Sequence, residues 1–385
     1  MPAKRETITV AAAQLEARLM NEADVTLQSI DLAIHRAAQK RVDLLVLPEC
    51  AYPAYLLGSV TSYRSGNHLR SDEFVAWLQE RAARHRLHIV CGLVEDDGTH
   101  VYNGAVLIDE RGQEVGRARK RFLWNADHDW YEPGQEIRAF DTAIGRIGIV
   151  ICAEARDPEL VATLVADGAE LIAMPTCWIN ASRDPGRYEN PQVEFLIEAR
   201  AREFGVPFVC ADKCGFELAP VGYVGMSRIV RADGTLAAEA PPTGETVIAA
   251  RLVVRRPRRV WISERRRAQL ASEPVRPPAT SQRIKVAAMP TSVANARYQG
   301  GMGHSLFEPL QKAGVNVLLV DMPQEAQGEQ LAMLANAFDL RAVAFPIEPN
   351  VFTCGPAKVG VVSGQWVRTF AASRALALQG AQILM

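Results

Sequence analysis

Two kinds of apolar pattern alternate along the chain as far as Leu252. Short runs of β-branched and aliphatic residues, bounded by turn formers, predict strands at Ile8–Ala13, Asp43–Leu47, His88–Val94 and Val101–Asp109. Further runs predict strands at Arg146–Ile151, Leu171–Met174, Pro207–Ala211, Met226–Val230 and Val247–Leu252. Between them, apolar residues recur at helical spacing in Glu22–Lys40, Asp72–Arg86, Pro158–Asp167 and Pro191–Phe204. Asp157 and Pro158 add a start signal, an N-cap followed by a first-turn proline. The alternation is that of an α/β protein. His88–Val94 and Val101–Asp109 follow each other directly, as a hairpin does, so the sheets are not purely parallel.

The pattern changes after Leu252. Arg255–Arg267 is arginine-rich and reads as a solvated helix or a subunit contact. Residues 272–281, Ser-Glu-Pro-Val-Arg-Pro-Pro-Ala-Thr-Ser, read as a semi-rigid linker between a domain at 1–271 and another at 282–385. The second domain echoes the first. Arg283–Ala288 echoes Thr7–Ala12, and Val315–Val320 echoes Val42–Leu47. Gly360–Met385 lies on Gly148–Ala173 without a gap, pairing Gly148 with Gly360, Arg156 with Arg368, Leu164 with Leu376 and Gly168 with Gly380. Three echoes in the same order predict a degenerate internal duplication.

Composition narrows the function. The net charge of −1 supplies no field for nucleic acid or an anionic membrane, and no run reaches spanning length. The first residues, Met-Pro-Ala-Lys-Arg-Glu-Thr, lack a signal peptide's apolar stretch, and the 7 cysteines are scattered; both predict a cytoplasmic protein with reduced thiols. Cys210 and Cys214 have no second pair or histidine to complete a zinc site.

Chemistry concentrates where the strand Arg146–Ile151 breaks into the helix at Pro158. Cys152 stands in that turn, near free backbone N–H groups and a helix N-terminus, where a thiolate is favoured and an oxyanion pocket is at hand. A lone cysteine there fits a small buried hydrophobe as well. Glu49 ends the buried run Leu44-Leu45-Val46-Leu47-Pro48, at the strand edge where α/β proteins place their sites. Lys120 lies in Arg119-Lys120-Arg121-Phe122-Leu123-Trp124. Singly, Glu49 reads as a cap or surface acid, and Lys120 as one cation of a basic run.

Together and in this order, these segments resemble the nitrilase superfamily of carbon–nitrogen hydrolases. Tyr131-Glu132-Pro133-Gly134 is similar to its aromatic-x-Pro-Gly turn, and Pro158-Glu159 to the Pro-Glu after its nucleophile. Gly168-Ala169-Glu170-Leu171-Ile172, Arg200-Ala201-Arg202-Glu203 and Gly225-Met226-Ser227-Arg228-Ile229 resemble three further signatures. The likeness spans roughly residues 7–252.

The resemblance implies a four-layer αββα sandwich in which Glu49, Lys120 and Cys152 form a Glu-Lys-Cys triad. Glu49 would shuttle protons, and Lys120 with the Ala153 N–H would meet the oxyanion. No metal or organic cofactor is called for. Asp127 stands where many members carry a second glutamate and is one methylene shorter. It would orient Lys120 or the substrate amide, or be a surface loop acid. Trp178 falls where the family lines its pocket, as a wall or a core residue; Cys50 packs behind. Cys152-Ala153-Glu154 departs from the Cys-Trp-Glu of nitrilases and points to small amide or N-carbamoyl substrates, with nitriles as the alternative. A non-catalytic binding protein on the same fold is the reading from another class. The second copy has Met322 at the position of Glu49 and Gly364 at that of Cys152, so it is expected to be inert. Family members pair through helices flanking the cysteine. The linked copy would take the partner's place through its helix Arg368–Leu378, giving an internal pseudo-dimer open to further homo-oligomerisation.

Overall fold

The computed structural model describes residues 7–124, 127–182, 184, 186–218 and 221–255, and beyond them the backbone of the short strands named below. The chain divides into two compact units, Met1–Val260 and Trp261–Met385. The linker at 272–281 and the helix expected at Arg368–Leu378 lie outside the described residues.

The first unit opens with β1 (Thr7–Glu16), α1 (Ala23–Gln39), β2 (Leu44–Val46), α2 (Val60–Ser65) and α3 (Ser71–His85). Next come β3 (His88–Asp96), β4 (Val101–Ile108), β5 (Glu114–Arg119), α4 (Asp127–Trp130), β6 (Ala139–Thr142) and β7 (Gly145–Ile149). α5 (Pro158–Ala166), β8 (Leu171–Pro175), α6 (Ile197–Phe204) and β9 (Phe208–Ala211) follow. β10 (Lys213–Leu218), β11 (Val221–Val224), β12 (Arg228–Val230), β13 (Leu236–Glu239) and β14 (Thr246–Val253) complete it. One sheet runs β11-β10-β1-β2-β3-β4-β5 with β14 on β1; the other runs β13-β12-β9-β8-β7-β6. The sheets pack face to face, β1 and β2 against β8 and β9, while α1 and α3 cover the first and α6 lies against the second. This is the four-layer α/β sandwich.

Burial explains why these segments take these forms. β2 is buried on both faces, as a central strand between helices and a second sheet must be, and reads as an unbroken apolar run. α1 buries Ile30, Ala33, Ile34 and Ala37, and α3 buries Phe74, Val75, Leu78 and Ala82; both stripes meet Leu45, Ile89 and Cys91 in one core. α5 starts as expected, with the Asp157 carboxylate accepting from Glu159 N at 2.9 Å. Two features differ from expectation. β5, β6, β10, β11 and β13 have too little apolar alternation to be read locally; partner strands make them. The helix expected at Pro191–Phe204 opens with a π-helical turn, Gln192–Leu196, before α6.

In the second unit, β15 (Val286–Met289), β16 (Val317–Val320) and β17 (Arg341–Val343) form a parallel sheet. β18 (Asn350–Cys354), β19 (Ala357–Val361) and β20 (Ile383–Leu384) form a mixed sheet, with β18 antiparallel and β20 parallel to β19. Val286 pairs with Val317 as Val10 pairs with Leu44. Val351 pairs with Gly360 as Ala139 pairs with Gly148, and Gly360 with Leu384 as Gly148 with Ile172.

Candidate active site

The carboxyl ends of β2, β7 and β8 converge across the two sheets. β2 gives way to Leu47-Pro48-Glu49, and the Glu49 amide donates to Thr176 O, just past β8, at 3.3 Å. Gly92 in β3 makes this possible. A Cβ there would lie 2.4 Å from Pro48 O and 2.6 Å from Glu49 Cα, so only glycine lets the Glu49 turn settle on the sheet. β7 ends at Ile149, and Cys152 opens a 3-10 turn, Cys152–Arg156, that precedes α5. Its φ is +48°, in the left-handed region where a side chain is held at a cost of about 1–2 kcal/mol. The Cys152 thiol donates to Cys177 O at 3.6 Å, and the Cys177 thiol donates to Glu49 O at 3.2 Å. Cys177 thus spans the two segments.

Lys120 is the hub of a fully buried charge cluster. Its Nζ donates to Glu49 Oε1 at 2.6 Å and to Asp127 Oδ2 at 2.7 Å. Glu49 Oε1 also accepts from Asn103 Nδ2 at 2.7 Å, while Glu49 Oε2 has no hydrogen-bond partner. Asp127 is further held by Tyr55 OH at 2.8 Å and by Trp124 N at 2.9 Å. Tyr55 is anchored in turn: the next amide, Leu56 N, donates to Glu217 Oε1 at 2.6 Å, and Glu217 pairs with buried Lys213. Burial works against the Lys120 ammonium, but Glu49, with Asp127 behind it, outweighs this and holds its pKa well above the ordinary lysine value.

The thiolate expected at this turn is not what the surroundings favour. Burial pushes the Cys152 thiol well above the usual range, and the Glu49 charge pushes the same way; the Lys120 ammonium pulls back and loses. The 3-10 turn separates Cys152 from the start of α5, which removes most of the helix-terminus effect. A protonated thiol needs a base before it can act as a nucleophile, and the charge that acts most strongly on Cys152 is that of Glu49.

Sequence reasoning named Glu49, Lys120, Cys152, Ala153, Asp127 and Trp178, and the fold brings them to this one region. Asp127 is fully buried against Lys120 rather than a surface loop acid. Trp178 follows Cys177 directly, is fully buried, and donates its backbone N–H to Asp212 Oδ1 at 2.7 Å. Cys50 lies behind, its sulfur 3.6 Å from Tyr131 OH. Reading the sequence missed Asn103, Tyr55 and Glu154. Asn103 carried a signal, an amide within the apolar run of β4. Glu154 accepts from Arg121 N at 2.7 Å and Ile151 N at 2.8 Å, tying the lysine segment to the nucleophile turn. Burial raises its pKa to about 7 against those two donors. Among the described residues no group of three or more His, Cys, Asp and Glu is arranged to hold a metal ion, and no helix is long and apolar enough to cross a membrane.

Known proteins match this region. A nitrilase of Pyrococcus abyssi is 28% identical over 247 residues, covering 64% of this chain and 89% of its own. An N-carbamoylputrescine amidase of Arabidopsis thaliana is 21% identical over 269 residues, covering 66% and 90%. An amidase from Nesterenkonia sp. shares the fold with a TM-score of 0.57 at 22% identity, over 66% of this chain and 93% of that one. The family profile of carbon–nitrogen hydrolases matches residues 9–259, which hold the whole of the cluster around Lys120 and Cys152. This chain belongs to the carbon–nitrogen hydrolase family and is a hydrolase of carbon–nitrogen bonds.

Proposed function

We propose that the first unit hydrolyses a small amide or N-carbamoyl compound through a Cys152 thioester. The observation that carries this is the unengaged Glu49 Oε2, on a carboxylate locked by Lys120 and Asn103 and coupled to a neutral buried thiol. Glu49 takes the Cys152 proton as sulfur attacks the carbonyl carbon. Lys120 uses two of its three hydrogens on Glu49 and Asp127, which leaves one for the developing oxyanion beside the Ala153 N–H. Collapse breaks the C–N bond, and Glu49 returns the proton to the departing ammonia or amine. Glu49 then deprotonates a water that attacks the thioester, releasing the carboxylic acid and the thiol.

A nitrile can enter the same cycle, and the names of the relatives include both a nitrilase and an amidase. Ala153 in place of tryptophan after the cysteine favours the amide. Ammonia release from a panel of amides, N-carbamoyl compounds and nitriles tests the reading, with Cys152→Ala as control. Release that the variant retains, or release from no compound, would move the chain to a binding role.

For residues 282–385 we propose a catalytically inert second copy of the fold, with Met322 and Gly364 at the positions of Glu49 and Cys152. The matching strand registers support it. In this reading it stands in for a partner subunit. Light scattering checks this: deleting 282–385 raises the number of subunits per particle above that of the 42.2 kDa parent. Unchanged association contradicts it.

A further inference from the structure

Peptide planarity links two atoms of the nucleophile turn. The Cys152 carbonyl oxygen and the Ala153 amide hydrogen belong to one rigid trans unit and point in opposite directions. Whatever holds that oxygen therefore aims that hydrogen. The oxygen has a specific partner. In the orientation that satisfies both of its side-chain atoms, the Gln192 amide donates to Cys152 O at 2.8 Å and accepts from the Trp178 indole Nε1 at 3.1 Å. Gln192 is 1% and Trp178 0% exposed, so solvent has almost no access to the relay.

Gln192 is itself held in place. Its backbone N–H donates to Asn190 Oδ1 at 3.0 Å, and Asn190 Nδ2 donates to Ile179 O at 3.0 Å. It opens the π-helical turn Gln192–Leu196, a widened geometry that recurs at functional sites. Farther along the same segment, Arg200 Nε donates to Ala155 O at 3.0 Å and Arg200 Nη2 to Arg156 O at 3.2 Å. One segment thus grips three carbonyls of the 3-10 turn, and Gln192 takes the one on Cys152, whose left-handed φ needs restraint from outside.

We propose that Gln192 is a positioning residue for the oxyanion donor: it clamps the Cys152 carbonyl and so aims the Ala153 N–H at the substrate oxygen, with Trp178 fixing the direction of the amide. This rests on the reading of Cys152 as nucleophile and adds a residue that touches no substrate.

Two variants of the full chain test it. Gln192→Met keeps length and volume without a donor. Gln192→Glu keeps the acceptor for Trp178, but when ionised it cannot donate to Cys152 O. The readouts are kcat and KM on the best amide of the panel, and the rate of Cys152 alkylation by iodoacetamide, an attack on saturated carbon that forms no oxyanion. Loss of a well-aimed oxyanion donor lowers kcat about 10²-fold, with KM and the alkylation rate within about threefold of the parent. Relative to the parent, Gln192→Glu recovers as pH falls and its carboxyl regains a proton to donate; Gln192→Met does not. Unchanged kcat in Gln192→Met, or alkylation that falls in step with kcat, overturns the inference. If Gln192→Met fails to fold, Trp178→Phe removes the indole N–H along with its five-membered ring and is expected to lower kcat about tenfold with alkylation unchanged; equal kcat there also overturns it. Hydrolysis retained by Cys152→Ala instead overturns the nucleophile reading, whatever the variants at position 192 do.

Discussion

Glu154 gives the site a pH-dependent stability of predictable sign. The carboxyl is fully buried and accepts from the Arg121 and Ile151 amides, yet burial wins and its pKa rises from 4.5 to about 7. The fold therefore prefers the neutral acid. The stability this contributes is complete below the unfolded-state value near 4.5 and is lost as pH rises through 7. Carried through the linkage relation, the rise is worth roughly 3 kcal/mol, or roughly 6–12 °C in Tm for a unit of this size. Glu154→Gln cannot titrate, so its lost hydrogen bonds enter as an offset that pH does not change. Thermal denaturation of parent and Glu154→Gln from pH 5 to 8.5 isolates the carboxyl. The parent's Tm relative to the variant's is expected to fall across that range by most of this amount. A difference flat within about 2 °C, or one that grows with pH, would refute the assignment of burial as the dominant cause.

Lys120→Met leaves Glu49 and Asp127 as two buried carboxylates without their shared cation. A loss of about 3–5 kcal/mol is expected in thermal or urea denaturation, smaller at low pH where one carboxyl takes a proton. Asn103→Leu removes the amide donor to Glu49 Oε1. Steady-state kinetics should show kcat lower by about 10–100-fold, since a hydrogen bond to a charged group is worth about 1.5–3 kcal/mol. Gly92→Ala drives a Cβ into Pro48 O and Glu49 Cα, which are backbone and cannot swing aside. The shift costs about 1–3 kcal/mol in Tm measurements and moves Glu49, so activity should fall by about 10²-fold, far more than the stability loss alone explains.

The parts of this protein legible in advance share one property: their cause is local. β2 and β7 announce themselves as apolar runs because both faces are buried, and Asp157-Pro158 announces α5 because a cap acts on its own first turn. Glu49, Lys120 and Cys152 were legible because each stands beside such a marker in a recognisable order. Tyr55 had none. Its importance lies in reaching Asp127, a contact between residues 72 positions apart. Gln192 was hidden for the same reason, inside a segment whose periodicity reads as ordinary helix and whose π turn packs against the nucleophile turn.

The sequence by itself determined the α/β layering and the positions of the acid, the lysine and the thiol. These depend on residue type and neighbouring pattern, which a linear reading contains. Only the tertiary structure decided protonation and aim. Burial, together with the Glu49 charge, keeps the Cys152 thiol neutral against the pull of the Lys120 ammonium, where a helix terminus alone would favour the thiolate. The short spacer of Asp127 still reaches Lys120 because Tyr55 and Trp124 hold it there. Desolvation and convergence arise from atoms distant in the chain, so no local pattern encodes them.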